Sequence, residues 1–207
     1  MPEISIMARG RLIVFEGIDG AGTETQSKLL LEHLKSGGTP AERIRYPGYE
    51  HPIGKLIGEY LHGKFDLPVE SQVLVHAADR AKDKAMIKKW LDEGRIVIAD
   101  RYITSTMAYQ GSSGFPVDKI ISLADTVGLP RPDMVIYLRI SAATSARRKA
   151  EESAELDRNE SDSCLLGRVS KLYEKLARDN AFGKWVVIDG EQPKEKVFRE
   201  VRKALKL

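Results

Sequence analysis

Residues 11 to 38, "RLIVFEGIDGAGTETQSKLLLEHLKSGG", leave the chain few architectures. "RLIVFE" is a short apolar run that stops at glycine. Leu29, Leu30 and Leu34 then fall at helical spacing before a Gly-Gly stop, so the stretch reads as strand, loop and helix. Gly17 and Gly22 stand at the spacing of a phosphate-binding loop, G-x-x-x-x-G-K-[ST], in which backbone N–H groups turn inward around a phosphate. The two side chains that do the ionic work in such loops are both changed. Thr23 occupies the lysine position, and Glu24 occupies that of the magnesium-binding hydroxyl.

Three further β-branched runs follow, "RIVIAD" (95–100), "DMVIYLRI" (133–140) and "KWVVIDG" (184–190), each separated from the next by a segment of helical character, and "ERIRYP" (42–47) reads as a fifth strand. Buried strands alternating with helices predict a parallel, doubly wound α/β sheet, with ligands at the carboxyl ends of the strands. The residues that follow each strand therefore become the site candidates. A length of 207 residues suits a single domain, 1–207. The first six residues fit no element, and residues 1–10 are expected to be a flexible N-terminus. Residues 147–163, charged on all faces, read as a solvated segment or a lid.

Composition narrows the function classes. A balance of 33 basic against 30 acidic residues lacks the dense basic stripe of a nucleic-acid binder. The single cysteine, Cys164, allows no internal disulfide and suits a reducing cytoplasm. No run of about eighteen apolar residues calls for a membrane.

After the 95–100 run comes "DRYITSTMAYQG". An aspartate there can bind magnesium, and the neighbouring arginine can pair with a phosphate. Taken in order, "FEGIDGAG", "AADRA", "DRY", "AYQG" and "LPRPDMVIYL" resemble the thymidylate kinase family over nearly the whole chain, from Arg11 to about Leu205. The resemblance implies a three-layer nucleoside-monophosphate kinase fold, with a five-stranded parallel sheet, helices on both faces and a lid. It also implies transfer of the γ-phosphoryl of ATP to dTMP with Mg2+, and a cytoplasmic homodimer.

Site residues follow from it by position. Gly17, Ile18, Asp19, Gly20, Ala21, Gly22, Thr23, Glu24 and Thr25 would hold ATP, with Arg147 and Arg148 nearby. Asp19 would stand between sugar, phosphates and metal, and Asp100 would be the second metal carboxylate. Arg101 would hold the dTMP phosphate, and Arg80 would engage the base. Tyr46 and Pro47 would cover the nucleoside. Ser105 and Thr106 would read the base edge, while Tyr109 and Gln110 would wall off a 2′-hydroxyl. Arg158 would be a lid cation acting on the transition state. His76 departs from the family's phenylalanine in its "LLFAADR"-like stretch, and an imidazole there can stack, hydrogen-bond or simply pack.

Loss of the lysine leaves two readings. Either another cation replaces it, Arg101 first and Arg158 second, with Thr23, Thr25 or Glu24 serving the metal; or the chain is a catalytically weak nucleotide-binding partner or regulator. A kinase for another pyrimidine monophosphate, such as dUMP, is a further alternative opened by His76.

Overall fold

A computed structural model describes residues 9–151, 158–159 and 163–207. The elements run β1 (Arg11–Glu16), α1 (Thr23–Ser36), β2 (Ala41–Arg45), α2 (Pro52–Leu61), α3 (Val69–Ala81), α4 (Lys84–Asp92), β3 (Ile96–Asp100), α5 (Ile103–Ser112), α6 (Val117–Thr126), β4 (Met134–Arg139), α7 (Ala142–Glu151), α8 (Ser163–Arg178), β5 (Trp185–Asp189) and α9 (Lys194–Leu205). All five expected strands form, in one parallel sheet of order β2-β3-β1-β4-β5.

Position in the sheet explains the composition of each strand. The three inner strands are covered on both faces and read as continuous apolar runs; Leu12, Val14, Val97, Ile98, Val135 and Ile136 are all fully buried. The edge strands β2 and β5 are only partly buried and carry charge. Helices on both faces complete the three layers.

β2 is shorter than its sequence run. The regular strand ends at Arg45; Tyr46 N–H still donates to the Asp100 carbonyl at 3.0 Å, and the next N–H on that side, of Gly48, turns to Asp79 Oδ2 at 3.1 Å, so the chain leaves the sheet there. The expectation of a flexible 1–10 segment is corrected at Gly10, which is buried and donates its N–H to the Leu91 carbonyl at 2.7 Å. Residues 1–8 lie outside the described residues, as do 152–157 and 160–162 of the expected lid; the remainder of that segment includes the last turns of α7.

Connections leave β1 toward β2 on one side, and the chain returns from β3 to β4 on the other. β1 is therefore the switch point of the sheet, where a crevice opens beyond the strand ends. The glycine loop sits there.

Candidate functional site

A cleft of ≈ 850 Å³ opens over the carboxyl ends of the strands. It is walled by the glycine loop after β1, Tyr46 and Pro47 after β2, Arg101 after β3, and the segment from Gly190 to Pro193 after β5. This volume lies toward the upper end of the range for small-molecule sites, roughly 300–1,000 Å³.

The loop is built by its glycines. A Cβ on Gly17 would stand 2.6 Å from Ala21 Cβ and 2.8 Å from the Leu138 carbonyl oxygen. Gly22 caps α1 at φ 88°, in the left-handed region, so the first N–H groups of the helix open onto the loop. Ile18 is 1% exposed and Gly17 is buried; neither lines the cleft, so their contribution is to hold the backbone. Asp19, Gly20, Ala21, Gly22, Thr23, Glu24 and Thr25 all line it.

The substituted positions carry their own electrostatics. Thr23 is buried, whereas the Glu24 carboxylate is two-fifths exposed and bridges Lys28 Nζ at 2.7 Å and Arg45 Nη1 at 3.1 Å. The hydrogen bond from Lys28 holds its carboxyl below the usual glutamate range, so Glu24 stands ionised at the mouth of the loop.

Arg101 lies under the loop. Its backbone adopts φ 68°, a conformation that costs a non-glycine residue about 1–3 kcal/mol and persists only where the surroundings impose it. Its guanidinium donates to the Gly17 carbonyl and, at 2.8 Å, to Asp19 Oδ1. Asp19 Oδ2 accepts from the Tyr109 hydroxyl at 2.7 Å. Burial alone would lower the Arg101 pKa, but Asp19 and the neighbouring groups more than offset it, and the guanidinium is held firmly charged. Asp19, Arg101 and Tyr109, all named from the family resemblance, thus form one connected unit.

Beneath them lies a residue that sequence reading passed over. Glu16, the last residue of β1, is fully buried. It accepts from Tyr102 N–H at 3.1 Å, Thr104 Oγ1 at 2.5 Å, Ser105 Oγ at 2.6 Å and Tyr173 Oη at 2.7 Å, with Arg101 Nη1 3.8 Å away. Burial pushes its carboxyl up, while these partners pull the other way. A carboxylate closing an otherwise apolar buried strand was itself the available signal, since such a charge needs partners. Ser105, expected to read a base edge, lines the cleft but spends its hydroxyl hydrogen on Glu16.

Other expectations meet more specific placements. Asp100 lines the cleft, and its Oδ2 is held by Arg43 Nη2 at 2.6 Å. Arg147 is exposed and outside the cleft wall. One helical position on, Arg148 braces the loop, donating to the Gly20 carbonyl at 3.0 Å and the Gly190 carbonyl at 2.8 Å. Adjacent helical residues point about 100° apart, so of the two α7 arginines named from the sequence the helix turns only the second to the loop. Arg158 does not line the cleft either. It stacks over Tyr60 at 4.3 Å and pairs with Asp66 at 2.8 Å.

At the far end, Tyr46, Pro47, His76, Arg80, Thr106, Tyr109 and Gln110 share the wall. Arg80 is 2% exposed and lies 5.1 Å from the Tyr46 ring centroid. Gln110 Nε2 donates to Gln72 Oε1 at 3.2 Å. Burial, together with the Arg80 charge, holds the His76 ring well below the usual histidine range. This gives a stability prediction. Below about pH 6.5 the unfolded chain binds a proton on His76 that the folded chain does not, so stability is lost as pH falls through that value, by up to about 1.4 kcal/mol per pH unit. Urea unfolding between pH 7 and pH 5 is expected to show a steeper loss in the wild-type protein than in His76→Phe.

The donor set suits a hard cation. Asp19, Glu24 and Asp100, with the hydroxyls of Thr23 and Thr25, offer only oxygen around the loop. Among the described residues no group of three or more His, Cys, Asp or Glu side chains could cage a metal by itself. No helix among the described residues is long and apolar enough to cross a membrane.

Comparison with known proteins places this geometry among relatives. The family model described as Thymidylate kinase matches residues 15–201. The chain is 33% identical over 195 residues to the thymidylate kinase of Homo sapiens, covering 94% of this chain and 89% of that protein. It is 35% identical over 201 residues to that of Thermosipho africanus, covering 92% and 94%. A solved thymidylate kinase from Candida albicans superposes with a TM-score of 0.77 at 24% identity, over 96% of this chain and 92% of that one, and shares the fold.

Proposed function

The chain belongs to the thymidylate kinase family, and from that premise we propose that it transfers the γ-phosphoryl group of ATP to dTMP, giving dTDP and ADP. The observation that carries this reading is the position of Arg101, joined to Asp19 of the glycine loop at one end of the cleft and continuous through Tyr109 with the wall formed by His76, Arg80 and Thr106 at the other. A cation placed between two phosphate sites is what in-line transfer between two anions requires.

In this scheme the loop amides cradle the ATP phosphates, with Arg148 bracing the loop. A dTMP phosphate oxygen attacks the γ-phosphorus as the bond to the β-phosphate oxygen breaks. Arg101 neutralises charge from the acceptor side, which the missing lysine would have done from the donor side. Asp19 orients Arg101 and Tyr109, and Tyr109 with Gln110 walls the sugar. Tyr46 and Pro47 cover the nucleoside. Arg158 would serve as a lid cation only after leaving Tyr60 and Asp66. Asp19, Asp100 and Glu24, with Thr23 or Thr25, would hold Mg2+, which when bound neutralises phosphate charge. The same premise carries the reading of a cytoplasmic homodimer acting on small nucleotides and not on nucleic acid. Apolar side chains exposed on α3 and α4, Leu74 and Met86, are compatible with a subunit interface, and sedimentation of the full chain would test it.

A second reading, a weak nucleotide-binding partner or regulator, is favoured by one observation: the Glu24 carboxylate sits where a magnesium-binding hydroxyl is expected. Loss of one preorganised phosphate-site charge costs about 3–4 kcal/mol. The deciding experiment is initial-rate formation of dTDP from ATP, magnesium and dTMP. The wild-type protein is expected to turn over on the order of once per second or faster, with Thr23→Lys changing the rate by less than about tenfold. No turnover with ATP binding intact, and activity appearing only in Thr23→Lys, would overturn the kinase reading in favour of the second.

A further inference from the structure

Asp79, on α3, is a fully buried carboxylate that takes no part in the transfer proposed above. A buried charge of this kind is costly unless it is paired and hydrogen-bonded, and its partners tie α3 to the segment that leaves β2. Oδ2 accepts from Gly48 N–H at 3.1 Å, and Oδ1 pairs with Lys82 Nζ at 2.9 Å. The Lys82 ammonium also donates to the Asp79 carbonyl at 2.9 Å and to Asp83 Oδ2 at 2.7 Å. It stands 5.1 Å from the Tyr46 ring centroid, and the Arg80 guanidinium stands at the same distance from that ring. Two cations of α3 therefore hold Tyr46, while one carboxylate holds Gly48 two residues on.

Gly48 has little room to shift. Its carbonyl accepts from His51 N–H at 2.9 Å, at the entry to α2, and a Cβ on Gly54 would stand 2.0 Å from that oxygen. The buried side chains of α2, Ile57, Tyr60 and Leu61, form a small cluster of their own, with Val75 of α3 packed against it, separate from the main core. The bond from Gly48 to Asp79 thus fastens the start of α2, and with it Tyr46 and Pro47, to α3.

We propose that Asp79 is a positioning residue for the acceptor end of the cleft: it holds the 46–48 segment in place before the ligand arrives, and so sets how tightly dTMP is bound. This rests on the reading of that end as the dTMP site. A segment ordered in advance costs a ligand nothing to order, whereas a loosened one draws on the binding energy. Asp79 contacts Gly48, Arg80 and Lys82, none of them in the glycine loop, so the ATP end should be unaffected.

The test uses the full chain, with calorimetric binding of dTMP and of ATP and turnover measured alongside. Asp79→Ala is expected to weaken dTMP binding, and to raise its KM, by about tenfold or more, as for loss of a buried hydrogen bond to a charged group. Its kcat at saturating dTMP and its affinity for ATP should stay within about threefold of wild type. Asp79→Asn keeps an oxygen for Gly48 N–H but loses the charge facing Lys82, and should lose about fivefold in dTMP affinity; it decides the matter if Asp79→Ala does not fold. Both variants should lose Tm, as a purely structural role would also require, so the split between the two nucleotides is the informative readout. Hydrogen exchange at the Gly48 amide should also quicken in Asp79→Ala. Unchanged dTMP affinity in every variant that folds, or matching losses for dTMP and ATP, would overturn the proposal. A selective loss of dTMP binding with no phosphoryl transfer in any variant would remove the kinase reading and leave the positioning role standing.

Discussion

Arg101→Ala is expected to lower kcat for dTDP formation about a thousandfold, with a smaller change in the affinity for ATP. The guanidinium stands between Asp19 and the Gly17 carbonyl at the floor of the cleft, 15% exposed, on a backbone held at φ 68°. Charge preorganised in this way costs nothing to reorganise as the transition state forms, and losing one such group typically forfeits on the order of 10²–10³ in rate. Here the expected effect sits at the upper end, because Thr23 cannot share the task. Removing Arg101 also leaves Asp19 without its cation, so some stability is lost as well. Arg101→Lys separates the two consequences: it restores the charge next to Asp19 but not the paired donors, and should recover stability while recovering only part of kcat. Arg101→Ala retaining wild-type kcat would exclude it as the replacement cation. The half-exposed Arg45, already paired with Glu24 at the loop, would then be the residue to substitute next.

Glu16→Ala should produce the largest loss of stability, about 3–5 kcal/mol. One fully buried carboxylate satisfies a backbone N–H, three hydroxyls and part of the Arg101 charge. Its removal leaves several buried donors without a partner and a cation without one of its counter-ions, and breaking a buried charged network of this kind costs that much. In a chain of this length each kcal/mol corresponds to about 2–4 °C in Tm, so a drop of about 10 °C is expected in calorimetry. Glu16→Gln should cost less, because the hydroxyls of Ser105 and Tyr173 can rotate to accept from an amide. Activity should fall in both variants, since Arg101 and Ser105 lose a common support. A Tm within about 2 °C of wild type in Glu16→Ala would show that these donors find water or one another.

Much of the fold was legible because its signals are local. Short apolar or β-branched runs marked the strands other than the charged edge strand β2, and the Gly-Gly stop marked the end of α1 at Ser36. The boundary error was not local: the run to Pro47 overshot a strand that ends at Arg45, because the N–H of Gly48 turns to Asp79, 31 residues away. Among the candidate site residues, Asp19 and Tyr109 were named from the family resemblance, and Arg101 from it and from its place after a strand. Glu16 was overlooked because its four donors come from Tyr102, Thr104, Ser105 and Tyr173, up to 157 residues away. Arg148 could not be chosen over Arg147 from sequence, since the choice depends on how α7 is rotated against Gly20, 128 residues distant.

By itself the sequence determined that a glycine loop would close a strand and open a helix in a parallel sheet, and that this loop would lack its lysine. Periodicity, turn chemistry and residue identity act over a few neighbouring positions, and those positions can be read directly. Only the tertiary structure decided which charges meet. It joined Glu24 to Lys28 and Arg45, turned Arg101 under the loop, placed Arg158 on Tyr60, and set Arg80 against the His76 ring. Electrostatic pairing depends on distance in space, and burial multiplies its strength, so it is settled only when the core brings distant segments within a few ångströms of one another.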